Sequence, residues 1–126
     1  MIHLDTSVLI DALTGPRRSA APLRAAIADG ERVALSTIVL YEWLRGPRVP
    51  LELAAQEALF PRETAVSFGD EEAALAATLY RKVRRPRGRE LDLAVAASAM
   101  TRGASLWTLN EADFFDIPAL RLYARR

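Results

Sequence analysis

The chain has 126 residues, 51% of them apolar and 26% charged, a net charge of +1 and no cysteine. This balance predicts one globular domain with its own core and excludes a disordered chain, a disulfide scaffold and a thiolate metal site. No apolar run approaches the ~20 residues of a membrane span, and no secretion signal opens the chain, so a cytoplasmic protein with no membrane partner is expected.

Residues 1–5 read as a short buried strand, and Thr6 or Ser7 can cap the helix that follows. "TGPRRSA" breaks that helix at Gly15 and Pro16. Ala20 to Asp29 is an Ala-rich helix with Gly30 as its terminator. "RVALS" is a second strand. Ser36 or Thr37 then caps a helix carrying Ile38, Leu40, Tyr41, Trp43 and Leu44, which stops at Gly46-Pro47. Pro50, at a first helical position, opens a helix through about Leu59. "TAVSF" is a third strand. Asp70 leads a long helix from Glu71 to about Arg84, and "RPRGR" is a basic loop. Leu91 to Arg102 is an Ala-rich helix closed by Gly103. "SLWTL" is a fourth strand, Asn110 to Phe114 a short turn or helix, and "LRLYA" is compatible with a fifth strand.

Short apolar strands alternating with helices predict an α/β fold, with a mostly parallel sheet of four to five strands flanked by helices. Ligands in such sheets bind beyond the carboxyl ends of the strands. Asp5 falls at that end of strand one. As a helix cap it would be redundant beside Thr6 and Ser7, which favours a functional role. Glu42 lies four residues after Ile38, inside the apolar run "IVLYEWL", where an isolated carboxylate is costly. Arg45 is its ordinary alternative partner. Asp92 and Asp113, each taken alone, read more readily as ordinary helix-end acids, and Glu90 rivals Asp92. Thr108 and Asn110 sit where strand four ends, so their polar groups point toward the same rim.

Together the four acids say more than any one alone. Two carboxylates ~4 Å apart repel by roughly 4 kcal/mol at an effective dielectric of about 20. With one histidine and no cysteine, the counter-charge expected is a hard, oxygen-liking cation, Mg²⁺ or Mn²⁺. Its commonest use is phosphoryl-ester chemistry. His3, between Ile2 and Leu4, reads as a hydrogen-bonded structural residue rather than a base. The run from Arg81 to Arg89 reads either as a solvated helix end or as a phosphate-contacting patch.

"LDTSVLID", "YEWLRG", "LDLAVAASAM" and "LWTLNEADFFDIPALRLY", in that order, resemble the PIN-domain family, and within it the VapC-type toxins of bacterial toxin–antitoxin pairs. The motif-bearing stretches cover about half of the chain. The resemblance implies a PIN-like three-layer sandwich, an acidic pocket binding Mg²⁺ or Mn²⁺, and endonucleolytic cleavage of RNA. The family's acids map onto Asp5, Glu42, Asp92 and Asp113, as ligands to one or two divalent ions or, for Glu42, as orienter of a water. Thr6, Thr108 and Asn110 map behind them as supports. Arg85, Arg87 and Arg89 become candidates to grip flanking phosphates. A cognate antitoxin and a homodimer are implied. Trp43, Val49 and Leu51 could line an apolar groove for the antitoxin's helix, with core packing the other reading of Trp43. The alternatives are a non-catalytic RNA- or protein-binding module on the same scaffold and, less favoured, an aspartyl phosphatase. The phosphatase needs a second Asp two residues after the first, where this chain has Ser7.

Overall fold

The structure is a computed structural model and describes residues 1–124. Ile2, His3 and Leu4 form β1 (Ile2–Leu4), and all three side chains are buried. Successive strand residues point to opposite faces. Burial of all three means that both faces of the sheet are covered, as in parallel α/β folds. β1 pairs in parallel with β2 (Val33–Ala34) on one side and with β3 (Ser105–Trp107) on the other. Two more segments extend this β2-β1-β3 sheet by single parallel bridges, Val66 beside Ser36 and Leu122 beside Leu106. These are the expected third and fifth strands, cut short. A 3₁₀ turn at Arg62–Thr64 takes the start of "TAVSF" and Gly69 already caps the next helix, so little chain is left to extend. At the other edge Ala119 turns sharply, with φ +65°, just before Leu120.

Among the described residues six α-helices surround the sheet: α1 (Thr6–Leu13), α2 (Ala20–Ala28), α3 (Thr37–Arg45), α4 (Pro50–Leu59), α5 (Asp70–Lys82) and α6 (Glu90–Thr101). α1 packs on α2, α3 and α4, whereas α6 packs on α3, α5 and β3. The Ala-rich composition of α6 has a direct consequence. Leu93 to Ala99 are buried without interruption, and a helix apolar all round belongs inside the protein. Small side chains let its neighbours close in on every side. Ser36 caps α3 as expected, its Oγ accepting the Val39 N–H at 3.2 Å. α1 starts differently from expectation. Asp5 occupies the cap position, yet its side chain makes no cap hydrogen bond, and Thr6 is already helical.

Two core residues refine the reading of the sequence. Trp43 is fully buried, so it is core rather than groove. The Arg48 guanidinium lies 4.2 Å over its ring and donates to its carbonyl at 2.9 Å. His3 is structural but not hydrogen-bonded: it is 1% exposed, and neither ring nitrogen has a partner among the described residues. Burial, helped by Arg102 and the chain N-terminus, lowers its pKa to about 4. It therefore fills its place in the central strand as a neutral ring.

Candidate active site

At the carboxyl end of β1 the Asp5 backbone N–H still pairs with the Trp107 carbonyl at 2.8 Å, but the side chain turns from the helix toward β3. Its Oδ2 accepts hydrogen bonds from Ser7 Oγ at 2.7 Å and Thr108 Oγ1 at 2.8 Å. Ser7 Oγ in turn accepts the Leu109 N–H at 3.0 Å, and Thr108 Oγ1 accepts the Asn110 N–H at 2.9 Å. Two hydroxyls, one from the first turn of α1 and one from the end of β3, thus fix one carboxylate oxygen, and Oδ1 takes no hydrogen bond among the described residues. Ser7 was not singled out by the sequence reading. Its signal is the spacing of two from Asp5, a local side-chain pattern that competes with capping.

Glu42 reaches the same rim from α3. Thr6 Oγ1 donates to its Oε1 at 2.7 Å, and Arg45 lies 3.7 Å from its Oε2. The two readings of Glu42, site acid and ion-pair partner, coexist: the pair is loose and Arg45 is half exposed, whereas the Thr6 contact is short. Asp92 enters from the first turn of α6 with no hydrogen bond to its side chain among the described residues. Burial first, then the charges of Asp5, Asp113 and Glu42, raise its pKa to about 6, against a weaker opposing pull from Arg89. All three other acids thus act on Asp92, which is an electrostatic record of their convergence.

Asp5, Thr6, Glu42, Asp92 and Asn110 line one open depression of about 570 Å³. Thr108 is buried behind Asp5. Asp113, the last residue of a 3₁₀ turn (Glu111–Asp113), is exposed beside the depression rather than in its wall. Glu90 lines a different hollow, between α5 and α6 with Tyr80 and Leu93, so the structure separates it from the acid set. Arg85 and Arg87 are exposed on the loop before α6. Arg89 is committed elsewhere: its Nη1 and Nη2 donate to the two carboxylate oxygens of Asp116 at 2.9 and 2.6 Å, and Nη2 also donates to the Asp113 carbonyl at 2.8 Å.

The donor chemistry suits a hard divalent cation, since every candidate ligand is a carboxylate or hydroxyl oxygen. Among the described residues, however, no three His, Asp or Glu side chains already meet in a geometry that could hold a metal ion. The acids converge closely enough to perturb Asp92 without closing into a finished coordination shell.

The PIN domain family model matches residues 2–120. Ribonuclease VapC19 of Mycobacterium tuberculosis is 34% identical over 120 residues, which span 94% of this chain and 95% of that one. Among solved structures, the DNA-bound VapBC of Salmonella typhimurium superposes with a TM-score of 0.80 at 22% identity, over 97% of this chain and 96% of that one. VapBC2 of Rickettsia felis, bound to a DNA fragment from its promoter, gives 0.75 at 22% identity and 98% coverage of both chains. These two likenesses speak for the fold, and the family match covers nearly the whole chain. The sheet with acids at its carboxyl edge is a PIN fold, and the chain belongs to the PIN-domain family.

Proposed function

We propose that this chain is a divalent-metal-dependent endoribonuclease, the toxin of a type II toxin–antitoxin pair, acting in the cytoplasm. The observation that carries this reading is the placement of Asp5, Glu42 and Asp92 on one open depression at the carboxyl edge of the sheet, with Asp113 beside it; the pKa of Asp92, raised by burial and then by the other three acids, agrees with it. Four carboxylates, from the residue after β1, from α3, from α6 and from the turn after β3, gather at one edge where Arg45 and Arg89 offset them only in part and a bound cation would neutralise them further. The name of the 34% identical relative, a ribonuclease, points the same way.

Asp5, Asp92 and Asp113 would hold Mg²⁺ or Mn²⁺, with Glu42 as a further ligand or as the base that orients a water. Such an ion supplies polarisation of a phosphoryl oxygen and activation of water for attack on phosphorus. The chain's own hydroxyls do the positioning. Ser7 and Thr108 fix Asp5 through one oxygen and leave the other for the ion. Thr6 fixes Glu42 through Oε1, and Oε2 keeps only the loose contact with Arg45. Asn110 sits at the wall beside them, where its side chain can meet a substrate phosphate or a water. Arg85 and Arg87, exposed on the loop before α6, are placed to attract the flanking backbone.

The antitoxin would dock away from this edge. An apolar groove between α1, α2 and α4 is lined by Leu13, Leu23, Ile27, Leu51 and Leu59, with Arg17 and Arg24 at its rim. Leu51 is 79% exposed. An amphipathic helix with acidic flanks fits this chemistry. A homodimer is part of the same reading and is checked by sedimentation equilibrium.

The test is cleavage-end mapping in total cellular RNA after induction of the chain, beside Asp5→Asn and Asp92→Asn. New ends should appear with the wild type alone, and purified protein should need Mg²⁺ or Mn²⁺. Cleavage by either variant at the wild-type rate would overturn the assignment. Wild-type protein that neither cleaves RNA nor binds Mn²⁺ would instead be a binding module.

A further inference from the structure

Arg89 was expected to be one of three arginines gripping RNA, but its guanidinium is occupied within the fold. It stands at the cap position of α6, three residues before Asp92. Both nitrogens of its fork engage Asp116, at 2.9 and 2.6 Å, and one also reaches the Asp113 carbonyl at 2.8 Å. Bidentate Arg–carboxylate pairs add geometric specificity as well as attraction. The tie crosses 27 residues of sequence, between the loop before α6 and the segment after β3. Its side chains are only 20% and 32% exposed.

The segment it holds is otherwise fixed by its own turn hydrogen bonds and by two core side chains, with no further side-chain tie to α6 among the described residues. Glu111–Asp113 is a single 3₁₀ turn, anchored in the core by Phe114 and Ile117 but exposed at Asp113 itself. Of the other three acids, Asp5 joins β1 directly to α1 and Glu42 and Asp92 ride on helices α3 and α6. Asp113 is the one acid carried by a short loop, and a loop residue needs supporting contacts to be held as accurately as one on a helix.

Resting on the nuclease reading, we propose that Arg89 and Asp116 form a positioning clamp. The clamp fixes the Asp113-bearing turn against the first turn of α6, and so sets the relation of Asp113 to Asp92 across the metal site. Arg89 is then a positioning residue and does not contact substrate phosphate.

Asp116→Asn separates this role from RNA contact, because it weakens the clamp and leaves the Arg89 charge free. A clamp predicts a 10- to 100-fold loss of Mn²⁺ affinity, read by electron paramagnetic resonance of free Mn²⁺, as for supports of metal ligands generally. kcat should fall with it, KM for RNA should hold, and amide hydrogen exchange across residues 111–116 should quicken in the metal-free protein. The exchanged pair, Arg89→Asp with Asp116→Arg, should restore at least part of the Mn²⁺ affinity that Arg89→Asp alone removes. Wild-type Mn²⁺ affinity and wild-type kcat in Asp116→Asn would overturn the clamp. So would an Arg89→Gln variant whose only defect is a raised KM with a shallower salt dependence, the mark of a phosphate contact. Wild-type protein that binds no Mn²⁺ and cleaves no RNA would overturn the nuclease reading and the clamp's role in it together. Hydrogen exchange in the same variants would still show whether the tie orders the turn.

Discussion

Replacing Asp92 by Asn should make the metal-free protein more stable while abolishing cleavage. The Asp92 pKa rises from an ordinary 3.8 to about 6. The native state therefore holds this proton more tightly than the unfolded chain does. Between those two values stability falls as pH rises, and above about 6 the whole penalty is present. At ~1.36 kcal/mol per unit the shift corresponds to roughly 3 kcal/mol. Asp92 is only half buried, so solvent screening brings this to roughly 1–2 kcal/mol. An amide in its place carries no charge at any pH. Thermal unfolding in EDTA, followed by circular dichroism, should show Asp92→Asn melting roughly 3–10 °C above wild type at pH 7.5. The difference should shrink as pH falls and approach zero below about pH 3, where the wild-type carboxyl is protonated in both states. Added Mn²⁺ should raise the wild-type midpoint by mass action and narrow the gap from the other side. A variant less stable than wild type at pH 7.5, or one with an equal gain at both pH values, would refute the electrostatic account of the site.

His3 gives the opposite pH dependence. Its pKa is lowered to about 4 from 6.5, so the unfolded chain binds the proton first and stability is lost as pH falls through this window. Urea unfolding at pH 7 and 4.5 should show wild type losing roughly 2–3 kcal/mol more than His3→Leu between the two; equal slopes would show that the ring is solvated. Thr108→Val removes one of two hydroxyls on Asp5 Oδ2 and should cost about 10-fold in Mn²⁺ affinity, with an unchanged circular dichroism spectrum. Arg85→Ala with Arg87→Ala should raise KM for RNA and lower the salt slope of binding by about 1.4, or ~0.7 per single-strand phosphate lost. An unaltered slope would place the RNA elsewhere.

What the sequence disclosed follows the range of each signal. Ser36 and Pro50 act within one helical turn, and the structure puts both where their chemistry requires, at the cap of α3 and the first residue of α4. Asp5 was legible for a different reason. A carboxylate at the end of an apolar strand, with two hydroxyls following that could cap in its stead, has no local use. The structure agrees that it does not cap. Strand length was harder to read. "TAVSF" and "LRLYA" have strand composition, but pairing is decided by the turns that flank them, and a 3₁₀ turn and a positive φ at Ala119 leave one bridge apiece. The partners of Arg89 were invisible in principle. A row of arginines ending at a helix start looks the same whether each is solvated or one is captured by an acid 27 positions on.

Burial and the distribution of hydrogen bonds together set Asp92 apart from Asp5 and Glu42. Asp5 is held by Ser7 and Thr108, and Glu42 by Thr6. Each of these donors fixes one carboxylate oxygen in place. Asp92 has no such donor among the described residues, sits on a helix buried for most of its length, and faces the other three charges. The hydroxyls thus hold the first two acids in place, whereas Asp92 bears its burial, and after that the charges of the other three acids, without a donor of its own. A cation entering this edge would interact most favourably where the protein itself has compensated least. Asp92 is therefore where metal binding and proton binding compete most directly. A Mn²⁺ titration across pH 5–7 should release up to one proton per ion at the acid end and almost none at pH 7. If proton release does not depend on pH in that window, Asp92 is not the ligand that couples the two.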